Sequence, residues 1–141
     1  MADDTLRTVR IERTSAGRYT ARNQRGAEIT IGSSNANDFS PVELLLAAIA
    51  SCTATDADIA TSRHTEPETF TVTATGDKIQ DDQGSRMVNL AVQFSVTFPE
   101  GTKGDAARAI LPRAVKLSHD KLCTVSRTVE LGTPVSNSVA P

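Results

Sequence analysis

The stretch SPVELLLAAIASC, residues 40–52, opens as a helix, continues as seven consecutive apolar residues and ends on a cysteine. Ser40 fits the N-cap, Pro41 the first helical position and Glu43 the third, which together form a capping box. We expect the helix to continue to about Ser62, since the proline of the following HTEPE segment prevents any further extension. The stretch therefore predicts a long helix that carries a cysteine near its middle.

The apolar run from Leu44 to Ala50 leaves the first half of this helix without a polar face. A helix that is apolar on all sides is buried on all sides, and one sheet covers only one of them. A chain of 141 residues offers little else to cover the remainder. We therefore expect a homodimer with this helix at the interface.

The other segments alternate between strand and helix patterns without a repeat or a linker, which predicts a single domain over residues 1–141 with a frayed tail at 132–141. Val88 to Phe98 alternate as the clearest half-buried strand, and Pro112 is expected to kink or interrupt the second helix. The order β-β-β-α-β-β-α-β indicates an α+β domain with a mostly antiparallel sheet. Besides the long helix, we predict elements at residues 6–13, 19–22, 27–31, 69–80, 86–98, 105–123 (helix) and 124–131 (strand).

Composition excludes several classes of function. With 15 basic and 17 acidic residues, the chain has no electrostatic footprint for nucleic acid. Its longest apolar run is far short of the ~20 residues that span a bilayer, so we expect no membrane segment. The N-terminal MADDTLRTVRIER lacks the features of a secretory signal, which favours the cytoplasm. Two Cys and two His without tight spacing predict no metal, and no motif calls for a cofactor.

Cys52 and Cys123 are the only cysteines, 71 residues apart. In a cytosolic chain, two cysteines are more often free or redox-active than a structural staple. The alternative is that each is a small buried apolar residue. Asp56 and Asp58 follow in the first helix; we interpret them as the point where it reaches solvent, without a catalytic use.

These residues together resemble the OsmC/Ohr family of thiol-dependent peroxidases. The resemblance is carried by Pro41, Glu43 and Leu44 at the helix start, by Cys52 nine residues after the glutamate, and by the later CTVS at 123–126. The order of elements also matches over nearly the whole chain. The resemblance implies an intertwined homodimer in which two central helices pack on mostly antiparallel sheet from both chains.

The activity that the resemblance implies is reduction of organic hydroperoxides without metal or cofactor. Cys52 would attack the peroxide and become a sulfenic acid, and Cys123 would resolve it to a disulfide. A dithiol, from a lipoyl protein or a thioredoxin-like protein, would then reduce that disulfide. In this scheme Glu43 positions an arginine that holds the thiolate.

The sequence departs from this family pattern in two places, the arginine and the residue after Cys123, and the helical phase of Glu43 raises a separate question. No motif places the arginine: the loop ITIGSSNANDF has none, and only the hairpin residues Arg18, Arg22 or Arg25 are candidates. Glu43 lies half a turn out of phase with its own cysteine and about 13 Å away along the helix. It either caps its helix or serves the cysteine of a partner chain. Thr124 replaces the family's usual proline. The alternative function is a non-enzymatic dimer of this family that binds a small hydrophobic ligand or senses redox state.

Overall fold

The computed structural model describes residues 5–33 and 37–141, so residues 1–4 of the N-terminal stretch and 34–36 of the polar loop lie outside the described residues. The fold is α+β and the strand pairings within both sheets are antiparallel, which confirms the predicted fold class. The elements in chain order are β1 (Val9–Ser15), β2 (Arg18–Asn23), β3 (Glu28–Ile31), α1 (Pro41–Ser62), β4 (Thr69–Asp81), β5 (Gly84–Thr97), α2 (Thr102–Leu117), a π-helical turn (Ser118–Leu122) and α3 (Thr124–Glu130).

The chain forms two compact units that divide within α1, between Leu45 and Leu46, and the single domain over 1–141 stays a prediction. The first unit is a three-stranded sheet in the order β1-β2-β3. All seven residues of β1 are exposed, including Val9 at 63% and Ile11 at 52%. The apolar side chains of this strand are therefore exposed.

The capping box at the start of α1 is confirmed. The backbone N–H of Ser40 donates to the Glu43 carboxylate at 2.9 Å, and the backbone N–H of Glu43 donates to the Ser40 hydroxyl at 3.2 Å. The helix ends at Ser62, where the sequence predicts its end. The capping pattern in the sequence thus fixed the helix start correctly.

The second unit places the rest of α1 with the β4–β5 hairpin, α2, the π-helical turn and α3. The buried residues of α1 in this unit follow a four-residue spacing: Ile49, Thr53, Ala57 and Thr61. The hydroxyl of Thr61, fully buried, donates to the Ala57 carbonyl at 2.9 Å. A polar side chain is tolerated there because it is hydrogen-bonded within its own helix.

By length and composition, α1 is the one helix in the described part of the chain that could cross a membrane. The same criteria are met by the core helix of a protein that never enters a bilayer. Glu43, Asp56 and Asp58 add three carboxylates along it. The helix is weak evidence for a span, and the expectation of no membrane segment stays a prediction.

In the β4–β5 hairpin, the apolar alternation predicted for β5 holds from Val92 to the end of the strand. A bulge interrupts it on the N-terminal side. Between Thr75 and Asp77 the register shifts, so that Gly76 faces Asn89 and Leu90, and Asn89 adopts φ 55°. A Cβ at Gly76 would lie 2.7 Å from Leu90 Cδ2. The bulge therefore shifts, at Leu90, which residues of β5 face which side of the sheet. Beyond it the apolar face continues in the pairs Ala74–Val92, Val72–Phe94 and Phe70–Val96.

Pro112 lies inside α2 without ending it, and the helix changes character only at Ser118, where the π-helical turn begins. The N-terminal turn of α2 is tightly packed. A Cβ at Gly104 would lie 1.6 Å from the carbonyl oxygen of Pro99. The glycine is required for this close approach.

The final strand predicted at 124–131 is wrong: these residues form α3. The backbone N–H of Ser126 donates to the Cys123 sulfur, and that of Arg127 to the Cys123 carbonyl at 3.0 Å, which starts a helix directly after the cysteine. The four-residue spacing of Val125 and Val129 fits a helix as well as the β-branched content fits a strand. Past Gly132 the described chain has no helix or strand, and Val139 is 96% exposed.

Candidate active site

The fold brings Cys52 and Cys123 together. Cys52 lies in the middle of α1, and Cys123 lies between the π-helical turn and α3. Both are free, and each lies close enough to the other to shift the pKa of its thiol. The tertiary structure thus joins the two residues that the sequence separates by 71 positions.

Cys123 is fully buried and is the N-cap of α3. Its sulfur lies 3.4 Å from the backbone nitrogen of Ser126 and 3.3 Å from the hydroxyl of the same residue. Burial raises the pKa of Cys123, but the Ser126 hydroxyl, the Cys52 thiol and the backbone N–H groups of Ser126 and Val125 outweigh it. The pKa of Cys123 is therefore lowered, and its thiolate is the more favoured of the pair.

Cys52 is half-buried, and its surroundings raise the pKa of its thiol rather than lower it. Burial raises the pKa of its thiol first, and the neighbouring Cys123 side chain raises it further. The backbone N–H of Val125 lowers it, whereas the negative charge of Asp56 raises it. Cys52 therefore keeps its proton at rest and is the more accessible sulfur of the two.

Asp56 is the residue of this site that sequence analysis missed. It is half-buried rather than free in solvent, and its Oδ2 accepts a 2.6 Å hydrogen bond from the hydroxyl of Ser118. Ser118 is fully buried at the start of the π-helical turn. The position of Asp56, one helical turn after Cys52, was available from the sequence; its partner, 62 residues away in the chain, was not.

The arginine that the resemblance calls for is not among the groups that act most strongly on Cys52 in the described part of the chain. Within the first unit, Arg18 binds Asp38 at 2.8 Å. Arg22 bridges Glu12 at 2.8 Å and Glu28 at 2.7 Å. Their side chains, like that of Arg25, stay candidates for the role only as predictions.

Glu43 makes both of its described hydrogen bonds with Ser40. The backbone N–H of Ser40 holds the pKa of the Glu43 carboxyl below its usual value, and the Ser40 side chain adds to this effect. The carboxylate therefore favours the helix start above its unfolded pKa and loses this contribution as pH falls through the lowered value. Its catalytic role stays a prediction.

Exchanging Glu43 for glutamine separates the two roles. Glutamine also closes a capping box, so Glu43→Gln should leave the melting temperature nearly unchanged, whereas Ser40→Ala should cost about 1 kcal/mol. We expect Glu43→Gln to retain hydroperoxide turnover. Loss of turnover at unchanged stability, measured by calorimetry and by the assay described below, would instead give Glu43 a role at the site.

A cleft of about 390 Å³ lies beside the thiol pair, within the second unit. It is lined by Thr53, the residue after Cys52, and by Ser126, whose hydroxyl lies 3.3 Å from the Cys123 sulfur. This volume is in the range of small-molecule sites. Its apolar wall includes Leu46, Ile49, Val92, Phe94 and Val115, and its polar end includes Lys116, His119 and Glu130.

His119 lies at the exposed rim of this cleft. Its Nδ1 lies 3.0 Å from Asp120 and its Nε2 lies 2.9 Å from Glu130, so it links the π-helical turn to α3. The hydrogen bonds to Asp120 and then Glu130 raise its pKa. This link is present below the ordinary histidine pKa and is lost as pH rises through the raised value.

The described residues, 5–33 and 37–141, contain no group of three His, Cys, Asp or Glu side chains placed to hold a metal ion. The expectation of no metal and no cofactor stays a prediction. What the described site offers is thiol chemistry: two neighbouring thiols with opposite pKa shifts, and a carboxylate one helical turn from one of them.

The chain is similar to known proteins over most of its length. The family model for OsmC-like proteins matches residues 33–138. An uncharacterised protein of Mycobacterium tuberculosis is 28% identical over 131 residues, which cover 92% of this chain and 93% of that protein.

Solved structures share the fold. An OsmC-like protein of unknown function from Vibrio cholerae has a TM-score of 0.71 at 17% identity, over 89% of this chain and 94% of that one. An organic hydroperoxide resistance protein OsmC from Legionella pneumophila has a TM-score of 0.59 at 14% identity, over 88% of each chain. These identities establish likeness of fold alone, whereas the family match spans both units and most of the sequence. The chain belongs to the OsmC-like protein family.

Proposed function

We propose that this protein is a thiol-dependent peroxidase that reduces organic hydroperoxides through Cys52 and Cys123. The observation that carries the proposal is the proximity of the two free thiols, which come from distant segments of the chain and shift the pKa of one another. Two neighbouring thiols need little movement to form a disulfide. Membership of a family that includes a named organic hydroperoxide resistance protein supports the choice of oxidant.

The two different environments suit the two steps. Cys52 is the more exposed sulfur, so hydroperoxide reaches it first and oxidises it to a sulfenic acid, releasing an alcohol. Cys123 is buried with a lowered pKa, and its thiolate attacks the sulfenic sulfur of Cys52. The S–S bond forms, the S–O bond breaks, and the oxygen leaves as hydroxide, which takes a proton from solvent to become water. A dithiol of the lipoyl or thioredoxin-like class then reduces the disulfide by exchange.

An assay that follows hydroperoxide consumption tests the proposal. With dithiothreitol as the dithiol, the wild-type protein should consume cumene hydroperoxide above the background rate, and Cys52→Ser should fall to that background. Serine is close to cysteine in size, so the fold is expected to persist, which a melting curve checks. Wild-type consumption equal to background, or equal rates in the two proteins, would reject a peroxidase function.

The apolar cleft, together with a sequence in which no motif places the arginine, favours a second candidate function. In it, the protein is a non-enzymatic member of the family that binds a small hydrophobic ligand or senses redox state. Both thiols would then label slowly with iodoacetamide in the native protein. Hydroperoxide would produce no disulfide between Cys52 and Cys123.

The uncovered apolar side chains support a homodimer, as the helix pattern predicts. Val9, Ile11 and Ile29 on the three-stranded sheet and Ile59 on α1 are each more than half exposed. A second copy would remove this area from water, at roughly 25 cal/mol for each Å² covered. Light scattering at micromolar concentration should give twice the chain mass.

We place the protein in the cytoplasm, where thiols are kept reduced.

A further inference from the structure

The proposed peroxidase reaction has to move one proton at Cys52. The thiol must lose its proton before sulfur attacks, and the departing alkoxide must gain one. Cys52 is biased against losing that proton by its surroundings. A proton acceptor close to its sulfur is therefore needed.

Asp56 is the carboxylate placed for this task. Residues four apart in a helix lie on the same face, with Cβ atoms about 5–6 Å apart, and the charge of Asp56 is felt at the Cys52 thiol. Within the described part of the chain, the carboxylate accepts its hydrogen bond through Oδ2, from Ser118 at 2.6 Å. The other oxygen, Oδ1, is the one that we assign to the thiol proton.

Ser118 connects Asp56 to the other cysteine. Its hydroxyl binds the aspartate, and its carbonyl accepts the backbone N–H of Cys123 at 2.8 Å. Ser118 is fully buried and begins the π-helical turn, a rare element that recurs at functional sites. One residue therefore fixes both the carboxylate beside Cys52 and the backbone that carries Cys123.

We propose that Asp56, positioned by Ser118, takes the proton of Cys52 and returns it to the leaving alkoxide. The inference rests on the proposed peroxidase function. As the S–H proton moves to Asp56, the sulfur attacks the terminal oxygen of the hydroperoxide. The S–O bond forms, the O–O bond breaks, and sulfur is oxidised by two electrons. The alkoxide takes the proton from Asp56, which yields alcohol, the Cys52 sulfenic acid and a free carboxylate.

Two electrophiles that differ in their leaving group test this role. Iodoacetamide releases iodide, which needs no proton, whereas a hydroperoxide releases an alkoxide, which does. The rates of both reactions with Cys52 are measured at pH 7 in a Cys123→Ser background, where Cys52 is the only thiol. Adding Asp56→Asn should raise the iodoacetamide rate, since a charge that disfavours the thiolate is gone. It should lower the cumene hydroperoxide rate about tenfold or more.

Asparagine keeps a side-chain oxygen for Ser118, so the bridge should persist, and unchanged melting confirms it. The matched control is Asp58→Asn, which removes an equal charge from an exposed position of the same helix. It should leave the ratio of the hydroperoxide rate to the iodoacetamide rate unchanged. Ser118→Ala keeps the carboxylate but releases it, and should lower the ratio by a smaller factor. Equal increases of both rates in Asp56→Asn would overturn the proton role while the peroxidase stands. A parent protein that hydroperoxide does not oxidise would overturn both.

Discussion

Replacing Cys123 with serine is expected to trap the protein halfway through its cycle. Cys52 should still react with hydroperoxide, but without a resolving thiol the sulfenic acid stays exposed to further oxidation. Because an external dithiol replaces a neighbouring thiol of the same chain, turnover with dithiothreitol should fall about tenfold or more. Mass spectrometry should find two added oxygens on Cys52 at excess hydroperoxide, where the wild type shows a disulfide.

Serine is a suitable replacement because Cys123 caps α3, and serine is a preferred N-cap residue. The melting temperature should therefore stay close to that of the wild type, which separates loss of function from loss of fold. Turnover equal to that of the wild type would show that Cys123 does not resolve Cys52. The dithiol would then reduce the sulfenic acid directly.

The largest loss of stability is expected from Gly104→Ala. A Cβ at this position would lie 1.6 Å from the Pro99 carbonyl oxygen, so the first turn of α2 or the end of the preceding loop must shift. Such overpacking costs about 3 kcal/mol. Chemical denaturation of the two proteins measures the difference.

Helix propensity alone predicts the opposite sign, because alanine is favoured over glycine in a helix by about 1 kcal/mol. Ala109→Gly, at an exposed position of the same helix, provides the propensity scale. If Gly104→Ala is as stable as the wild type or more so, the close packing of α2 on Pro99 is contradicted.

Much of the fold was predictable from sequence because local patterns decided it. The capping box at Ser40 and the apolar run behind it predicted α1 from Pro41 to Ser62. The hairpins followed from strand alternation and turn residues. In each case the pattern is repeated over enough residues that tertiary contacts have little to overrule.

The errors lie where one contact overrules a short pattern. The β-branched residues at 124–131 predicted a strand, but the sulfur of Cys123 accepts the Ser126 N–H and starts a helix instead. The alternation of β5 fails at Leu90 because Gly76 allows a bulge opposite it. Neither contact alters the pattern of apolar and polar residues, so the sequence pattern does not reveal it.

The candidate site was likewise predictable from the sequence in one part and not in another. The cysteine pair was predictable as a family pattern, although only the fold brings the two thiols close together. Asp56 was visible in the sequence, but its significance depends on Ser118 in the π-helical turn, and a single serine in a polar run indicates nothing by itself. The opposite pKa shifts of the two thiols also depend on burial and on α3, which the sequence did not predict.

The most direct test is whether hydroperoxide joins Cys52 to Cys123. Reduced wild-type protein is treated with one equivalent of cumene hydroperoxide, remaining thiols are blocked with iodoacetamide, and unreduced peptides are mapped by mass spectrometry. The proposed mechanism predicts a disulfide between the peptides that contain Cys52 and Cys123, with loss of both free thiols and reversal by a dithiol. Two carbamidomethylated cysteines and unconsumed hydroperoxide would contradict it.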